Sequence, residues 1–183
     1  ELKEIVSETL SPMNYSASLV KEEFPDAKLV FVGPCVAKKA EAAANPDIDY
    51  VLNFEEYGSW LVAAGIELSD CEEMMIGNDI SKFGRSFARA GGVGTAVSRH
   101  LADVDFESVQ LDNIDRTFVR QLKMVLKNKK PTLVEVMSCE DGCVGGCNTL
   151  VNSRSALRQL SAFTDAGTAE KRIVRKEAVE QPT

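Results

Sequence analysis

The chain reads Leu29-Val30-Phe31-Val32-Gly33-Pro34-Cys35 in its first quarter and Leu133-Val134-Glu135-Val136-Met137-Ser138-Cys139 much later. In each stretch an apolar, largely β-branched run ends at small or turn-forming residues and is followed by a cysteine. The second stretch continues through Cys143 and Cys147 in a run rich in glycine. These patterns predict two short strands whose ends carry cysteines into tight turns. Cysteines placed in this way are suited to binding a metal.

Apolar runs alternate with helical patterns along the chain, which predicts an α/β fold with a parallel sheet flanked by helices. The predicted strands are Lys28–Val32, Asp49–Asn53, Phe106–Leu111 and Leu133–Met137. The predicted helices are Tyr15–Phe24, Lys38–Ala44, Phe54–Ala64, Asp115–Lys127, Thr149–Phe163 and one that follows the glycine run 90–94 and reaches Ala102.

Two of the predicted helices carry finer expectations. Asn53 is expected to cap Phe54–Ala64, and Gly65 is expected to end it. The helix Asp115–Lys127 is expected to turn Phe118, Leu122 and Val125 inward.

Three more expectations accompany this assignment. The strand Lys28–Val32 is expected to be buried on both faces, as in a parallel sheet. The first helix, preceded by a break at Ser11-Pro12, is expected to turn Leu19, Val20 and Phe24 inward. A long loop with one helical turn is expected over Glu67–Phe87.

Composition narrows the class of protein. A chain of 183 residues with 44% hydrophobic and 27% charged residues matches one ordinary globular domain. The net charge of −7 argues against a nucleic-acid surface, which usually carries a basic patch. No apolar run approaches the roughly 18 residues of a membrane helix, so no membrane partner is expected.

The expected domain runs from residue 1 to 166, with no internal repeat and no linker that divides it. Residues 167–183 are charged, poor in large apolar residues, and expected to form a frayed or disordered tail. Five cysteines, an odd number with three close together, do not suggest a disulfide framework. They indicate a reducing compartment, and hence a cytoplasmic location.

The cysteine segments carry the candidate chemistry. Thiolate is a preferred ligand of zinc and of iron–sulfur clusters. Gly142, between Cys139 and Cys143, permits a positive φ and lets backbone amides point at sulfur. Lys38, three residues after Cys35, offers an ammonium group to an anionic ligand.

Not every candidate residue is expected to be functional. Buried cysteines can also be small hydrophobic residues, and this interpretation is favoured for Cys71, between Asp70 and Glu72. His100 is the only histidine and is expected to be a surface helix residue, so a mixed Cys/His zinc site is hard to build.

The two segments resemble cluster motifs of the iron-only, or [FeFe], hydrogenases. Pro34-Cys35-x-x-Lys38-Lys39-x-Glu41 is similar to the family's second motif. Glu135-Val136-Met137-x-Cys139-x-x-Gly142-Cys143-x-x-Gly146 is similar to its third. Between them, residues 47–52, 54–56 and the glycines at 91–92 agree in order with the family, and the resemblance covers roughly residues 1–165.

The resemblance implies a cluster held between two lobes of an α/β domain. Cys35, Cys139 and Cys143 would each ligate a [4Fe–4S] cubane. Cys143 would also bridge to a two-iron subcluster bearing carbonyl and cyanide, completing the H-cluster. Lys38 would donate a hydrogen bond to a cyanide, so Lys38 and Cys143 are the expected catalytic residues.

Two further positions have looser counterparts in the family. Glu41 matches a motif position and would anchor the loop by pairing with a nearby cation. Ser11 is the candidate for a serine on the family's proton path.

The chain departs from the family pattern in three ways. The first motif, which supplies the fourth cubane ligand and a proton-shuttling cysteine, is absent, so we expect an excised C-terminal portion that is inactive alone. Gly33 stands where methionine precedes Pro-Cys. Glu140-Asp141 and residues 147–150 replace a Pro-Gly pair and a glycine run. These changes resemble the divergent branch of the family associated with sensing, and Cys147 could be an auxiliary ligand, a redox thiol or a small turn residue.

The expected parent is therefore a hydrogenase that splits or forms H₂, as an enzyme or as a hydrogen or redox sensor. Its electron partner would be ferredoxin or another domain of the parent. An alternative is a hydrogenase-like iron–sulfur protein without the two-iron unit, acting in cluster assembly or binding. A structural zinc domain is the third possibility.

Overall fold

The computed structural model describes residues 2–74 and 80–167. The chain forms two compact units: unit 1 comprises residues 1–72 with 145–152, and unit 2 comprises residues 73–144 with 153–183. Part of the loop expected at Glu67–Phe87 lies outside the described residues, as does the expected tail beyond Gly167. Within the described ranges, no helix combines the length and apolar character needed to cross a membrane.

Unit 1 contains one parallel strand pair with its helices. β1 pairs with β2, with Val30 opposite Tyr50 and Val32 opposite Leu52. The elements are a 3₁₀ turn at Leu2–Ile5, α1 (Pro12–Glu23), β1 (Val30–Val32), α2 (Ala37–Ala43), β2 (Tyr50–Leu52), α3 (Phe54–Ala63) and a 3₁₀ turn at Leu68–Asp70. Because β1 and β2 are parallel, the chain must return between them, and α2 lies on that connection.

The start of α1 differs from the expectation that Ser11-Pro12 breaks a helix. The Ser11 side chain instead accepts a hydrogen bond from Asn14 N at 3.3 Å, and Pro12 occupies the first helical turn. Proline is tolerated there because its missing N–H would have had no partner within the helix. The pair therefore begins α1 three residues before the predicted start.

The core of unit 1 lies between α1 and the strand pair. Met13, Ala17 and Ile48 are buried, and partly buried side chains pack against them: Leu29, Phe31, Ala42 and Val51. The prediction that Val20 and Phe24 turn inward was wrong, since both are exposed. A twelve-residue helix is about 18 Å long and a three-residue strand about 10 Å, so the strand pair is too short to cover the full length of α1.

The prediction that β1 is buried on both faces was also wrong. Val30 and Val32 are 49% and 36% exposed, whereas Phe31 packs against the core. Only one face of this two-stranded sheet is covered within unit 1, and alternate side chains of a strand point to opposite faces.

The predicted cap of α3 is confirmed. The Asn53 side chain accepts from Glu56 N, and the Glu56 carboxylate accepts from Asn53 N, both at 2.8 Å. This reciprocal arrangement is a capping box. Gly65, with φ of +68°, follows the end of the helix as predicted.

Unit 2 contains the second parallel pair. β3 and β4 run side by side, from Glu107 opposite Thr132 to Leu111 opposite Val136. The elements are α4 (Lys82–Arg85), α5 (Gly92–His100), β3 (Glu107–Leu111), α6 (Arg116–Val125), β4 (Thr132–Val136) and α7 (Ser153–Asp165), with a 3₁₀ turn at Cys143–Gly145 after β4.

Helices cover this sheet and each other. α5 packs against both strands, α6 packs against β3, and α4 packs against α5 and α7. The buried apolar side chains are Ala96, Leu111 and Phe118. Phe118 confirms the predicted inward face of α6, and Asp115 caps that helix by accepting from Phe118 N at 2.8 Å.

The predicted α/β class with parallel strands and flanking helices is therefore confirmed. The four predicted strands exist, but they form two two-stranded sheets. Each pair is built from one strand–helix–strand segment, which is the local connection that a parallel pair requires.

We predict that Asn53→Ala lowers the free energy of unfolding by about 1 kcal/mol, because Glu56 N loses its acceptor. Urea unfolding followed by the fluorescence of Trp60, the single tryptophan, which lies on α3, measures this change. Ser59→Ala, on the exposed surface of the same helix, is the control. Equal stability of the two variants would contradict the role of the cap.

Candidate metal centre

The three predicted cysteine ligands follow the ends of strands in both units. Cys35 lies after β1 in unit 1 and is half-buried. Cys139 and Cys143 follow β4 in unit 2, the first half-buried and the second exposed. All five cysteines of the chain are thiols, and none forms a disulfide. The carboxyl ends of parallel strands are where α/β proteins usually place ligand sites.

The loop that carries Cys35 is held by backbone hydrogen bonds. Gly33 N donates to Leu52 O at 3.1 Å, which continues the β1–β2 pairing. Lys38 N donates to Cys35 O at 3.3 Å and starts α2. Within the same unit, Asn148 N donates to Pro34 O at 3.3 Å. Cys35 is therefore fixed between the end of a strand and the start of a helix.

Lys38 is joined to two other side chains that the sequence had singled out. Its Nζ lies 2.5 Å from Glu41 Oε2, and both side chains are mostly buried, at 23% and 28% exposed. Ser11 Oγ donates to the other oxygen of the same carboxylate. The expectation that Glu41 pairs with a nearby cation is thus met by Lys38 itself. The three residues connect the start of α1 with the first turns of α2.

This network decides the charge state of Glu41. Partial burial by itself would raise the pKa of the Glu41 carboxyl, because desolvation disfavours the charged form. The hydrogen bonds from Lys38 and Ser11, together with the charge of Lys38, outweigh burial and lower the pKa below its usual value. Glu41 is consequently an ionised acceptor that holds the ammonium of Lys38.

The loop that carries Cys139 and Cys143 has an unusual backbone. Asp141 and Gly142 have φ values of +63° and +83°, in the left-handed region. A Cβ at Gly142 would lie 2.5 Å from Ala90 N and 2.8 Å from Arg89 C, so no other residue fits there. The glycine in the pattern between the two cysteines is therefore required by a close approach of two backbones.

Hydrogen bonds attach this loop to its neighbours in unit 2. Ala90 N donates to Asp141 O at 3.1 Å, and Val144 N donates to Ala88 O at 3.2 Å. On the other side, Asp141 N donates to Asp112 Oδ2 at 2.8 Å. The two thiols thus project from a loop whose backbone is fixed on both sides.

Glu135, inside β4, connects the strand to the start of α5. Its carboxylate is buried and accepts from Gly91 N at 2.9 Å and from Gly94 N at 2.6 Å. These amides belong to the first turn of the helix, where N–H groups lack partners within the helix and the dipole favours a negative charge. The turn at 88–90 just before α5 is the one that holds Asp141 and Val144. Glu135 therefore positions the support of the cysteine loop.

The remaining candidates are Cys71, His100 and Cys147. The interpretation of Cys71 as a buried hydrophobic residue was wrong, since Cys71 is exposed and its thiol donates to Glu67 O at 3.5 Å. His100 is exposed at the end of α5, with Nδ1 2.9 Å from Ala96 O, as expected for a surface helix residue. Cys147 is exposed, and Asn148 Nδ2 donates to its sulfur at 3.3 Å.

The donor set is chemically suited to an iron–sulfur cluster. The predicted ligands are thiols at partly or fully exposed positions in glycine- or proline-containing loops. Among the described residues of either unit, no three His, Cys, Asp or Glu side chains meet as a group that could hold a metal.

Sequence reasoning missed two contributions to this region. Glu135 was quoted only as part of a motif, and Asp112 was not singled out. The available signal was a carboxylate inside an otherwise apolar strand, which requires a buried partner. The partner, a helix start at Gly91–Gly94, is far away in the sequence.

Comparison with known families gives one match. The model of the family described as iron only hydrogenase large subunit, C-terminal domain, matches residues 1–132. That range includes Cys35 and Lys38 and ends just before the segment with Cys139 and Cys143.

Among solved structures, the fold is similar to that of HydA(deltaEFG), described as revealing stepwise [FeFe]-hydrogenase H-cluster assembly. The TM-score is 0.58 with 17% identity, over 91% of this chain and 62% of that one. The likeness shows a common fold. This chain spans less than two thirds of the length of that structure's chain. No curated protein matches the sequence.

We predict that Glu41→Gln destabilises the chain by about 1 kcal/mol at neutral pH, since a charge-assisted hydrogen bond is lost. The pKa of Glu41 is lowered on folding, so its contribution is present above its usual pKa, 4.5, and disappears as the pH falls through the lowered value. The stability difference between wild type and variant should therefore shrink below that pH.

Urea unfolding at a series of pH values measures this difference. Glu8→Gln, an exposed carboxylate outside helices and strands, is the control for a simple loss of charge. A difference that stays constant with pH would show that Glu41 is not held ionised by Lys38 and Ser11.

We predict that Glu135→Ala destabilises unit 2 by about 2 kcal/mol, because the buried amide of Gly94 and the part-buried amide of Gly91 lose their acceptor. Glu135→Gln keeps one acceptor oxygen and should recover part of the loss. Hydrogen exchange at Gly91 and Gly94 reports the effect directly. Glu107→Ala, on the neighbouring strand and half-exposed, is the control. Unchanged hydrogen exchange at both glycines would refute the role of Glu135 as the acceptor of these amides.

Proposed function

The chain belongs to the iron-only hydrogenase large subunit, C-terminal domain family, and from this we propose that it is the part of an [FeFe]-hydrogenase that carries H-cluster ligands. The parent would be an oxidoreductase that interconverts protons, electrons and H₂, as a catalyst or as a hydrogen or redox sensor. Its electron partner would be ferredoxin or another domain of the parent, in the cytoplasm.

One observation carries the proposal. A thiol with a lysine three residues later lies in the family-matched range, at the end of a strand, and two more thiols lie at the end of another strand. Thiols that are not engaged in disulfides suit iron–sulfur ligation. The surrounding backbone is fixed by hydrogen bonds, as a preorganised ligand set requires.

Each residue has a proposed role. Cys35, Cys139 and Cys143 would ligate a [4Fe–4S] cubane, and Cys143 would also contact the two-iron subcluster. When bound, the H-cluster would supply the redox iron chemistry of H₂ formation and splitting. Lys38 would present its ammonium to a cyanide ligand, and Glu41 would hold that ammonium in place.

The sensory role rests on charge near the cysteine loop. Glu140 and Asp141 add two carboxylates where the family pattern has an uncharged pair, and Asp141 is itself held in a left-handed conformation by the loop. Negative charge beside a cluster disfavours its reduced form and changes its potential. A slow, signalling parent is consistent with such a site.

A second function is supported by the Lys38–Glu41 pair. Because the ammonium already has a carboxylate at 2.5 Å, the charge of Lys38 is compensated without a cyanide. The alternative is a hydrogenase-like iron–sulfur protein without a two-iron unit, acting in cluster binding or assembly.

The test uses the full-length parent matured with the hydrogenase assembly machinery. We expect infrared bands of bound carbonyl and cyanide, and we expect Lys38→Met to shift the cyanide bands because their hydrogen-bond donor is lost. A cubane without these bands would support the alternative. Stoichiometric zinc without iron would refute both.

We also predict that Cys35→Ser, Cys139→Ser and Cys143→Ser each sharply reduce cluster loading in the parent, measured as iron and sulfide content. Cys71→Ser, at an exposed position outside both segments, is the matched control and should keep wild-type loading. Equal loading in all four variants would overturn the ligand assignment.

A further inference from the structure

Two cysteines of unit 1 lie on turns that are hydrogen-bonded to each other. Asn148 N donates to Pro34 O at 3.3 Å, and Cys147 and Cys35 are the residues next to these two. The donor nitrogen is bonded to the carbonyl carbon of Cys147, and the acceptor carbonyl is bonded to the nitrogen of Cys35. One hydrogen bond therefore brings together two cysteines that are 112 positions apart in the sequence.

Covalent geometry limits the distance between these cysteines. In a trans peptide, the nitrogen lies about 2.4 Å from the preceding Cα, and the carbonyl oxygen lies about 2.8 Å from the following Cα. Together with the 3.3 Å hydrogen bond, these lengths place the Cα atoms of Cys35 and Cys147 within roughly 8.5 Å of each other, and closer if the path is bent. A disulfide usually joins Cα atoms that are about 4.4 to 6.8 Å apart. A backbone shift of at most about 2 Å is therefore enough to join the two thiols.

Each cysteine lies on a turn whose backbone is fixed. Lys38 N donates to Cys35 O at 3.3 Å. On the other turn, the backbone N and the side-chain Oγ1 of Thr149 both donate to Gly146 O, at 3.1 and 2.9 Å. Cys147 is a central residue of that turn. Since neither cysteine lies in a helix or strand, rotation of their side chains disturbs no helical or sheet hydrogen bond.

The two thiols differ in their access to solvent. Cys147 is exposed, and its sulfur accepts a hydrogen bond from Asn148 Nδ2 at 3.3 Å. Cys35 is half-buried. A dissolved reagent therefore reaches the sulfur of Cys147 more easily than that of Cys35. The third cysteine of unit 1, Cys71, is exposed on a separate 3₁₀ turn and serves below as a control.

We propose that Cys35 and Cys147 form a redox-active pair, which a low-molecular-weight disulfide such as oxidised glutathione converts into an intramolecular disulfide. The sulfur of Cys147 attacks one sulfur of the reagent, forming a mixed disulfide and releasing one molecule of thiol. The sulfur of Cys35 then attacks the sulfur of Cys147 and releases the second thiol. The protein gives up two electrons and two protons, and both are carried away by the two released thiols.

The consequence for the cluster rests on the proposed function, in which Cys35 is a cubane ligand. A metal ligand must be a thiolate, and a sulfur engaged in a disulfide is not one. Oxidation therefore blocks cluster loading until a thiol reductant reopens the bond. It also keeps both sulfurs from the irreversible sulfinic and sulfonic states. Cys147 controls loading in this scheme and is not itself a ligand.

The first test uses the cluster-free chain, so its result does not depend on the proposed function. The reduced chain is equilibrated with mixtures of reduced and oxidised glutathione, alkylated, and analysed by mass spectrometry for remaining thiols and cross-linked peptides. We expect the wild type to lose two of its five thiols together, as a Cys35–Cys147 disulfide without bound glutathione. Cys35→Ser should instead retain glutathione on Cys147, at a concentration of oxidised glutathione at least about tenfold higher.

Matched variants and unfolding locate the pair. Cys71→Ser removes another thiol of unit 1 and Cys139→Ser removes a thiol of unit 2, and both should keep the Cys35–Cys147 disulfide. In concentrated urea, Cys147 should pair with the nearby Cys143 instead, because a short loop closes at a smaller cost in entropy than a long one. Circular dichroism checks that each variant is folded in the absence of urea.

The second test measures iron content in the full-length parent. The protein is treated before maturation with the concentration of oxidised glutathione that closes the disulfide. We expect the treated wild type to lose most of its iron uptake and to regain it with a thiol reductant. Cys147→Ser should take up iron normally after the same treatment.

Three results would overturn the proposal. In the folded chain, a disulfide between Cys139 and Cys143, or between Cys143 and Cys147, would show that Cys35 is not the partner. Equal iron loss in treated wild type and Cys147→Ser would show that the pair does not control loading. Lower iron in untreated Cys147→Ser would make Cys147 a ligand. Normal loading in Cys35→Ser would instead refute the ligand assignment and leave the disulfide standing, so the two proposals can fail separately.

Discussion

The buried carboxylate of Glu135 is the constraint on which the geometry of unit 2 depends. It enters from β4 and accepts hydrogen bonds from two amides of the first turn of α5. A charge removed from water must be compensated locally, and helix-start amides do so without a counter-ion. Because the backbone just before α5 also holds the turn with Asp141 and Val144, one interaction links sheet, helix and cysteine loop. The loop that carries the thiols of unit 2 is thus held in place by hydrogen bonds to its neighbours.

In unit 1, a partly buried charge is compensated by an ion pair. Lys38 and Glu41 lie on one turn of α2, and Ser11 reaches the same carboxylate from the start of α1. Here the charge that would serve a ligand is already compensated within the protein, whereas in unit 2 the charge is used only to hold backbone. Lys38 is a functional candidate because it follows Cys35 by three residues, whereas Glu135 is a positioning residue because its carboxylate accepts from backbone amides.

Much of the local structure could be predicted because its causes are local. The capping residue Asn53, the glycine that follows α3 and the inward Phe118 are all decided within one helical turn, and each was predicted correctly. The exposure of Val30 and Phe24 could not be predicted, because it depends on how much of a strand or helix its neighbours cover. The same applies to Ser11-Pro12, which could break or begin a helix depending on the chain that follows.

By itself, the sequence determined the α/β class, the strand ends that carry cysteines and the identity of the candidate ligands. Each of these depends only on apolar periodicity or on residue type, which are local properties of the sequence. Only the tertiary structure decided that Glu41 pairs with Lys38 and Ser11 and that Gly142 contacts the backbone at 89–90. It also decided that the Glu135 carboxylate accepts hydrogen bonds from amides at the start of α5. The longest of these contacts joins Gly142 and Arg89, whose positions 142 and 89 differ by 53. No local pattern encodes them, because their partners are brought together by packing of the sheet and helices.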